Sequence, residues 1–241
     1  MVQLPDVINV IENWILHEPQ QTHVIVASGM HALLEGTSDH NFRHILDSAD
    51  LFIPDGFSIT WLARRRGFAL EKRVTGSALL EEFCRISAKK GYRNFFYGDT
   101  KRVLHRLQRI MRARYPNLKI VGCYSPPYRR LSRREDDYAV NVINEARPDV
   151  LWVALGLPKQ ERWMYEHKKG LRVPVMVGVG AAFGFLSGEV NRAPNWIGEH
   201  GLEWAWRLVH QPQRVWRRIL EIPKFIGLIG LELIHSETYP E

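Results

Sequence analysis

The sequence predicts an α/β protein: a mostly parallel sheet with helices on both faces, followed by a helical C-terminal appendage. Three observations lead there. Short, nearly continuous apolar runs alternate along the chain with stretches whose apolar residues keep helical spacing, the pattern of strands covered on both sides. The runs end in glycine or small residues ahead of a helix, at Ser28-Gly29, Asp55-Gly56, Gly98-Asp99-Thr100, Gly156-Leu157-Pro158-Lys159-Gln160-Glu161 and Gly178-Val179-Gly180-Ala181. After Gly180 the composition shifts to tryptophan and arginine, which separates an α/β body at 1–193 from an appendage at 194–241.

In chain order, residues 7–16 read as a helix and His23 to Ser28 as a buried strand that breaks at Gly29. A short amphipathic helix at 42–46 precedes a second strand, Leu51 to Pro54, and a helix at 59–66 that Gly67 stops. Leu79, Leu80, Phe83 and Ile86 give a helix over 77–90, closed by Gly91. Alternation then becomes regular: strands at 94–98, 119–124, 150–155 and 173–179, and helices at 101–115, 135–146 and 160–167. In the appendage, Trp196, Trp204, Trp206 and Trp216 interleave with Arg207, Arg214, Arg217 and Arg218 ahead of the apolar segment 225–231.

A chain of 241 residues suits one domain with an appendage, and 45% hydrophobic with 24% charged residues is globular, so the charge imbalance needs a reason. Thirty-three Lys+Arg against 26 Asp+Glu leave +7, which implies a phosphate-rich partner: nucleic acid, an anionic membrane surface or a nucleotide-bearing substrate. Cys84 and Cys123 form no C-x-x-C pair, which argues against a disulfide framework or structural zinc. The start Met1-Val2-Gln3-Leu4-Pro5-Asp6 lacks a basic, apolar leader, and no run approaches the roughly 18 apolar residues of a membrane span, so a cytoplasmic protein with at most peripheral membrane contact is expected.

The stretch Ala49-Asp50-Leu51-Phe52-Ile53-Pro54-Asp55-Gly56 delivers a carboxylate, Asp55, onto a turn at a strand end. Two readings stand: a cap for the helix that follows, or a general acid or base. The strand-end glycines are likewise turn formers or points of close approach for a nucleotide. Neither a P-loop nor a complete G-x-G-x-x-G is present, against a P-loop NTPase or an NAD-dependent dehydrogenase. Gly98-Asp99-Thr100 is a capped loop or a backbone contact for a nucleotide, and Lys159-Gln160-Glu161 is a solvated first turn or a set of hydrogen-bonding groups for a sugar or base. No D-x-D tripeptide occurs, so no metal is expected to bridge a diphosphate. Fixed cations would do that work, with Arg73, Arg207, Arg214, Arg217 and Arg218 as candidates. The appendage reads as a core-packing helix pair or as an interfacial patch for anionic lipid.

From about Val24 to Arg218 the chain resembles the WecG/TagA/CpsF glycosyltransferases, glycosyltransferase family 26. The likeness rests on the Asp55 stretch, on Lys72-Arg73-Val74-Thr75-Gly76, on Phe96-Tyr97-Gly98-Asp99, on Pro148-Asp149 through Gly156-Leu157-Pro158-Lys159-Gln160-Glu161, and on Gly178-Val179-Gly180-Ala181-Ala182-Phe183 with Arg192-Ala193-Pro194. The resemblance implies a Rossmann-like body and inverting, metal-independent transfer of N-acetylmannosamine or another hexose from a UDP-sugar to an undecaprenyl-diphosphate-linked saccharide, in cell-surface polysaccharide synthesis. It places the protein on the cytoplasmic membrane face and calls for no cofactor and no nucleic acid. It matches Asp55 to the family's general base, Arg73 and Gln160 to its site Arg and Gln, and Arg207, Arg214, Arg217 and Arg218 to its appendage arginines. One departure stands out: the family's Thr-x-Asn signature after the first strand is here Ala27-Ser28-Gly29-Met30-His31, so those contacts would fall to Ser28 or His31. With Gly98, Asp99, Glu161 and Gly180, these residues form the expected substrate site. The rivals are a non-catalytic basic module that binds nucleotide or nucleic acid, and a membrane-surface scaffold; a homo-oligomer is left open.

Overall fold

The computed structural model describes residues 3–65, 67, 74–191, 203–210, 223 and 227. Six strands form one all-parallel sheet: β1 (His23–Ser28), β2 (Leu51–Pro54), β3 (Arg93–Gly98), β4 (Lys119–Tyr124), β5 (Val150–Ala154) and β6 (Val175–Gly178). Their spatial order is β2-β1-β6-β5-β3-β4. The inner strands β1, β5 and β6 are buried along their whole length, as their unbroken apolar runs require, whereas the outermost strands β2 and β4 are half-exposed. β6 begins later than the run 173–179 suggests. Pro174 has no N–H to give a sheet, and its carbonyl instead accepts from His23 N at 2.8 Å.

Alternate side chains of each strand feed two cores. Ile25, Phe96, Trp152 and Val177 face one, which is closed by α1 (Leu4–His17), α5 (Gly76–Lys90), α6 (Lys101–Arg114) and α9 (Ala182–Leu186). Val24, Val26, Phe95, Tyr97 and Met176 face the other, closed by α7 (Arg133–Ala146), α8 (Lys159–His167) and, through Leu46, by α3 (His40–Asp47). Trp152 keeps its indole satisfied inside by donating to Asn94 Oδ1 at 2.9 Å.

Local chemistry explains the helix ends. Thr75, Thr100 and Ser132 accept from the backbone amides of Ala78, Val103 and Glu135, and Gly91 closes α5 in the left-handed region at φ 83°. α4 (Phe57–Arg65) starts two residues before its expected position. Two helices were not legible in the sequence: α2 (Met30–Ser38), which follows β1 directly, and the five-residue α9. In α2 the apolar stripe is interrupted by Gly36, a buried residue that faces Arg43 and Leu46 of α3. α10 (Glu203–His210) falls within 194–241, the stretch expected to form an appendage; the rest of that stretch, apart from Pro223 and Gly227, is outside the described residues.

Candidate active site

β1 and β6 are neighbours, yet the helices that follow them pack on opposite faces: α2 and α3 beside α8, and α9 beside α5 and α6. Such a switch opens a crevice beyond the carboxyl ends of the strands, where α/β proteins hold ligands. Six of the expected site residues, Ser28, His31, Asp55, Gln160, Glu161 and Gly180, stand on the elements around it.

Asp55 follows β2 and is fixed from two sides. Its amide donates to Ser28 O at 2.9 Å, and its Oδ2 accepts from Gly76 N at 3.0 Å. Gly76 is the first residue of α5, so the carboxylate sits on the positive end of that helix. Gly29 makes the turn feasible: a Cβ there would stand 2.7 Å from Asp55 O. Ser28 is buried at the end of β1, and His31 is half-buried in the first turn of α2.

α5 in turn abuts the end of β6, where a Cβ on Gly76 would come within 3.2 Å of Val179 Cα. The next residue, Gly180, adopts φ 54° and donates its N–H to Gln160 Oε1 at 3.0 Å. Gln160 Nε2 donates to Glu161 Oε1 at 2.8 Å. Both side chains are buried, at 2% and 1% exposure, so neither stands on the solvated first turn that the sequence suggested. Burial raises the pKa of Glu161, against the smaller opposing effect of the Gln160 hydrogen bond.

Gly98 and Asp99 lie further along the same edge. A Cβ on Gly98 (φ 117°) would collide with Ala154 O at 2.4 Å, and Asp99 (φ 53°) donates its amide to that carbonyl at 3.0 Å. Asp99 Oδ1 accepts from Thr100 N at 2.7 Å, and Ser125 Oγ donates to Asp99 O at 2.6 Å, so the loop is locked from both flanks. The sequence reading missed Tyr128. Its ring is 96% exposed at this edge, with Lys159 Nζ 4.6 Å from the ring centre. The only available signal was an aromatic after Ser125-Pro126-Pro127 in a strand-end loop.

Arg73, Arg214, Arg217 and Arg218 lie outside the described residues, and Arg207 falls within α10 with its side chain outside them. His40 and His44 stand four apart on α3, but among the described residues no group of three or more His, Cys, Asp or Glu could hold a metal. Among the described residues no helix is long and apolar enough to cross a membrane.

An all-parallel sheet with a carboxylate and several helix starts at its switch-point edge defines the class: an α/β protein of Rossmann-like fold. The chain belongs to the glycosyl transferase WecG/TagA/CpsF family, whose profile matches residues 1–238, and it is a glycosyltransferase. It is 34% identical over 201 residues to an N-acetylglucosaminyldiphosphoundecaprenol N-acetyl-β-D-mannosaminyltransferase of Bacillus subtilis (strain 168), covering 83% of this chain and 76% of that relative. Proteins of the same name from Bacillus spizizenii (strain ATCC 23059 / NRRL B-14472 / W23) and Staphylococcus aureus (strain MW2) are 32% identical over 205 residues and 26% over 220. They cover 85% and 91% of this chain, and 77% and 84% of the relatives. Family membership sets aside the non-catalytic module and the scaffold.

Proposed function

We propose that the protein transfers a hexose, N-acetylmannosamine or a close alternative, from a UDP-sugar to a saccharide carried on undecaprenyl diphosphate. The transfer inverts the anomeric centre, needs no metal, and takes place at the cytoplasmic face of the membrane. The acceptor and the sugar follow the relatives' names; the +7 charge and the absence of D-x-D agree with a phosphate-bearing donor handled by fixed cations. The observation that carries the reading is Asp55, held on a turn that only Gly29 permits by the amide of Gly76, which itself abuts Val179 at the end of β6.

In this reading Asp55 takes the proton from the acceptor hydroxyl as its oxygen attacks the anomeric carbon from the face opposite the leaving group. The bond from that carbon to the β-phosphate oxygen breaks, and UDP leaves with the electron pair. The strand-end turns at Gly98-Asp99 and Gly180, with His31 and Ser28, line the donor path, and Tyr128 offers a flat ring to a base or sugar. Arg73, Arg207, Arg214, Arg217 and Arg218 would stabilise the charge on departing UDP, a role taken from the family resemblance.

The test is a UDP-release screen over several UDP-sugars with an N-acetylglucosaminyl-diphosphate-lipid acceptor, with and without EDTA. Acceptor-dependent release with one donor, unaffected by EDTA and lost in Asp55→Asn, is the expected result. Release from no donor, or wild-type turnover in a folded Asp55→Asn protein, would overturn it.

A further inference from the structure

Glu161 poses a problem that the reaction above does not solve. It is the one Asp or Glu with a fully buried side chain among the described residues. Among the described residues no cation compensates it: the nearby Lys168 spends its ammonium on Asp50 Oδ2 at 2.7 Å. Val24, Val26, Ile45 and Tyr165 surround the same space. One carboxyl oxygen, Oε2, has no partner, while the other accepts from Gln160. A buried carboxyl is an expensive way to fill an apolar interface, so what it does for its neighbour must justify it.

That neighbour has an orientation to keep. The two ends of a primary amide have the same shape and opposite hydrogen-bonding character. Gly180 N requires an acceptor, so the oxygen of Gln160 must face it, and the nitrogen must then find an acceptor on the other side. Glu161 Oε1 is that acceptor, in either ionisation state, because a proton on Oε2 leaves Oε1 able to accept. The space for the amide comes from Gly178, whose Cβ would stand 3.1 Å from Gln160 Nε2. From Gly180 the contacts continue through Val179 to Gly76, and from Gly76 N to Asp55 Oδ2.

We propose that Glu161 is a positioning residue for sugar transfer: it locks the Gln160 carboxamide with its oxygen on Gly180 N, and so fixes the 178–180 turn against which the Gly76–Asp55 contact is set. The proposal rests on the function given above. Glu161 touches no reacting atom; it acts through Gln160.

Four variants of the full chain test this, with turnover and the hydrogen-exchange rate of the Gly180 amide as readouts. Glu161→Met removes the acceptor and is expected to lower kcat about tenfold or more and to speed Gly180 exchange, whereas Glu161→Gln keeps an acceptor oxygen and should stay within about threefold of wild type on both. Gln160→Glu sets two carboxyls against each other and should lose turnover about tenfold or more; adding Glu161→Gln returns a donor beside the new carboxylate and should recover most of it. This rescue pair keeps the test decisive if Glu161→Met does not fold. Wild-type turnover and exchange in folded Glu161→Met, a Glu161→Gln loss as deep as that of Met, or no rescue of Gln160→Glu would each overturn the proposal. If the wild-type protein transfers no sugar, the proposed function fails, while Gly180 exchange still decides the role of Glu161.

Discussion

Two carboxyl groups serve the same edge of the sheet under opposite conditions. Asp55 stands on a turn after the outermost strand β2, where a backbone amide at a helix start stabilises its charge. Glu161 lies between α8 and β1 with an oxygen left unpaired and its pKa raised by burial. In the proposed mechanism the difference separates a group that would meet a substrate from one that would only shape its neighbour. Exposure and a rigid backbone anchor suit proton transfer, whereas burial suits orientation, since a buried group has no water to compete for its hydrogen bond.

The contrast can be broken at its strongest point first. Asp55→Asn retains an oxygen for Gly76 N but cannot take a proton, so a folded variant is expected to lose about 10²–10⁴-fold in turnover, read as UDP release. Moving the anchor rather than the acid should cost less. Gly29→Ala places a Cβ 2.7 Å from Asp55 O and must shift the turn, with turnover expected to fall about tenfold to a hundredfold while the far-ultraviolet circular dichroism stays native. Thr75→Ala removes the cap from Ala78 N and should lower stability by about 1 kcal/mol in urea melts, loosening the same helix start without touching the acid.

The smallest effect is one of pH. The folded-state pKa of Glu161 is raised, so between its unfolded and folded values the unfolded chain binds fewer protons, and this group's contribution is present at low pH and lost as pH rises. Relative to wild type, Glu161→Gln should therefore gain stability in urea melts taken from about pH 4 upward. Glu135, held at about 2 by Arg129 and by the amide and hydroxyl of Ser132, runs the other way: its contribution is present above the unfolded value and lost as pH falls through about 2. Glu135→Gln should flatten the acid limb of the stability curve.

Much of the scaffold was legible because it is built from local signals. Continuous apolar runs marked all six strands, and Gly91 and Thr100 marked helix ends where the structure has them, whereas the Ser132 cap that starts α7 two residues before the expected 135 was not read. α2 and α9 were not, since a stripe broken by Gly36 and a helix of five residues leave too little periodicity to read. The strand-end positions of the candidate residues were legible, but the partnerships they form were less so. Asp55 was placed at a strand end, yet the helix it holds starts 21 residues later, a partnership only the folded sheet creates. Gln160 and Glu161 read as a polar first turn, whereas Gln160 shares the buried side of α8 with Trp163 and Met164 at helical spacing, and the tertiary contact draws Glu161 in as well.

In the proposed mechanism the bond from Gly76 N to Asp55 would have a kinetic meaning as well as a structural one. A base that also tethers a helix changes its hold on that helix whenever it changes charge. On protonation Asp55 would give up most of its attraction for the start of α5, and on release of the proton regain it, so each catalytic cycle would load and unload a fifteen-residue rod that packs against α1, β3 and α9. The proton taken from the acceptor would thus be registered well away from the sugar, as an intermittent slackening along one whole face of the sheet.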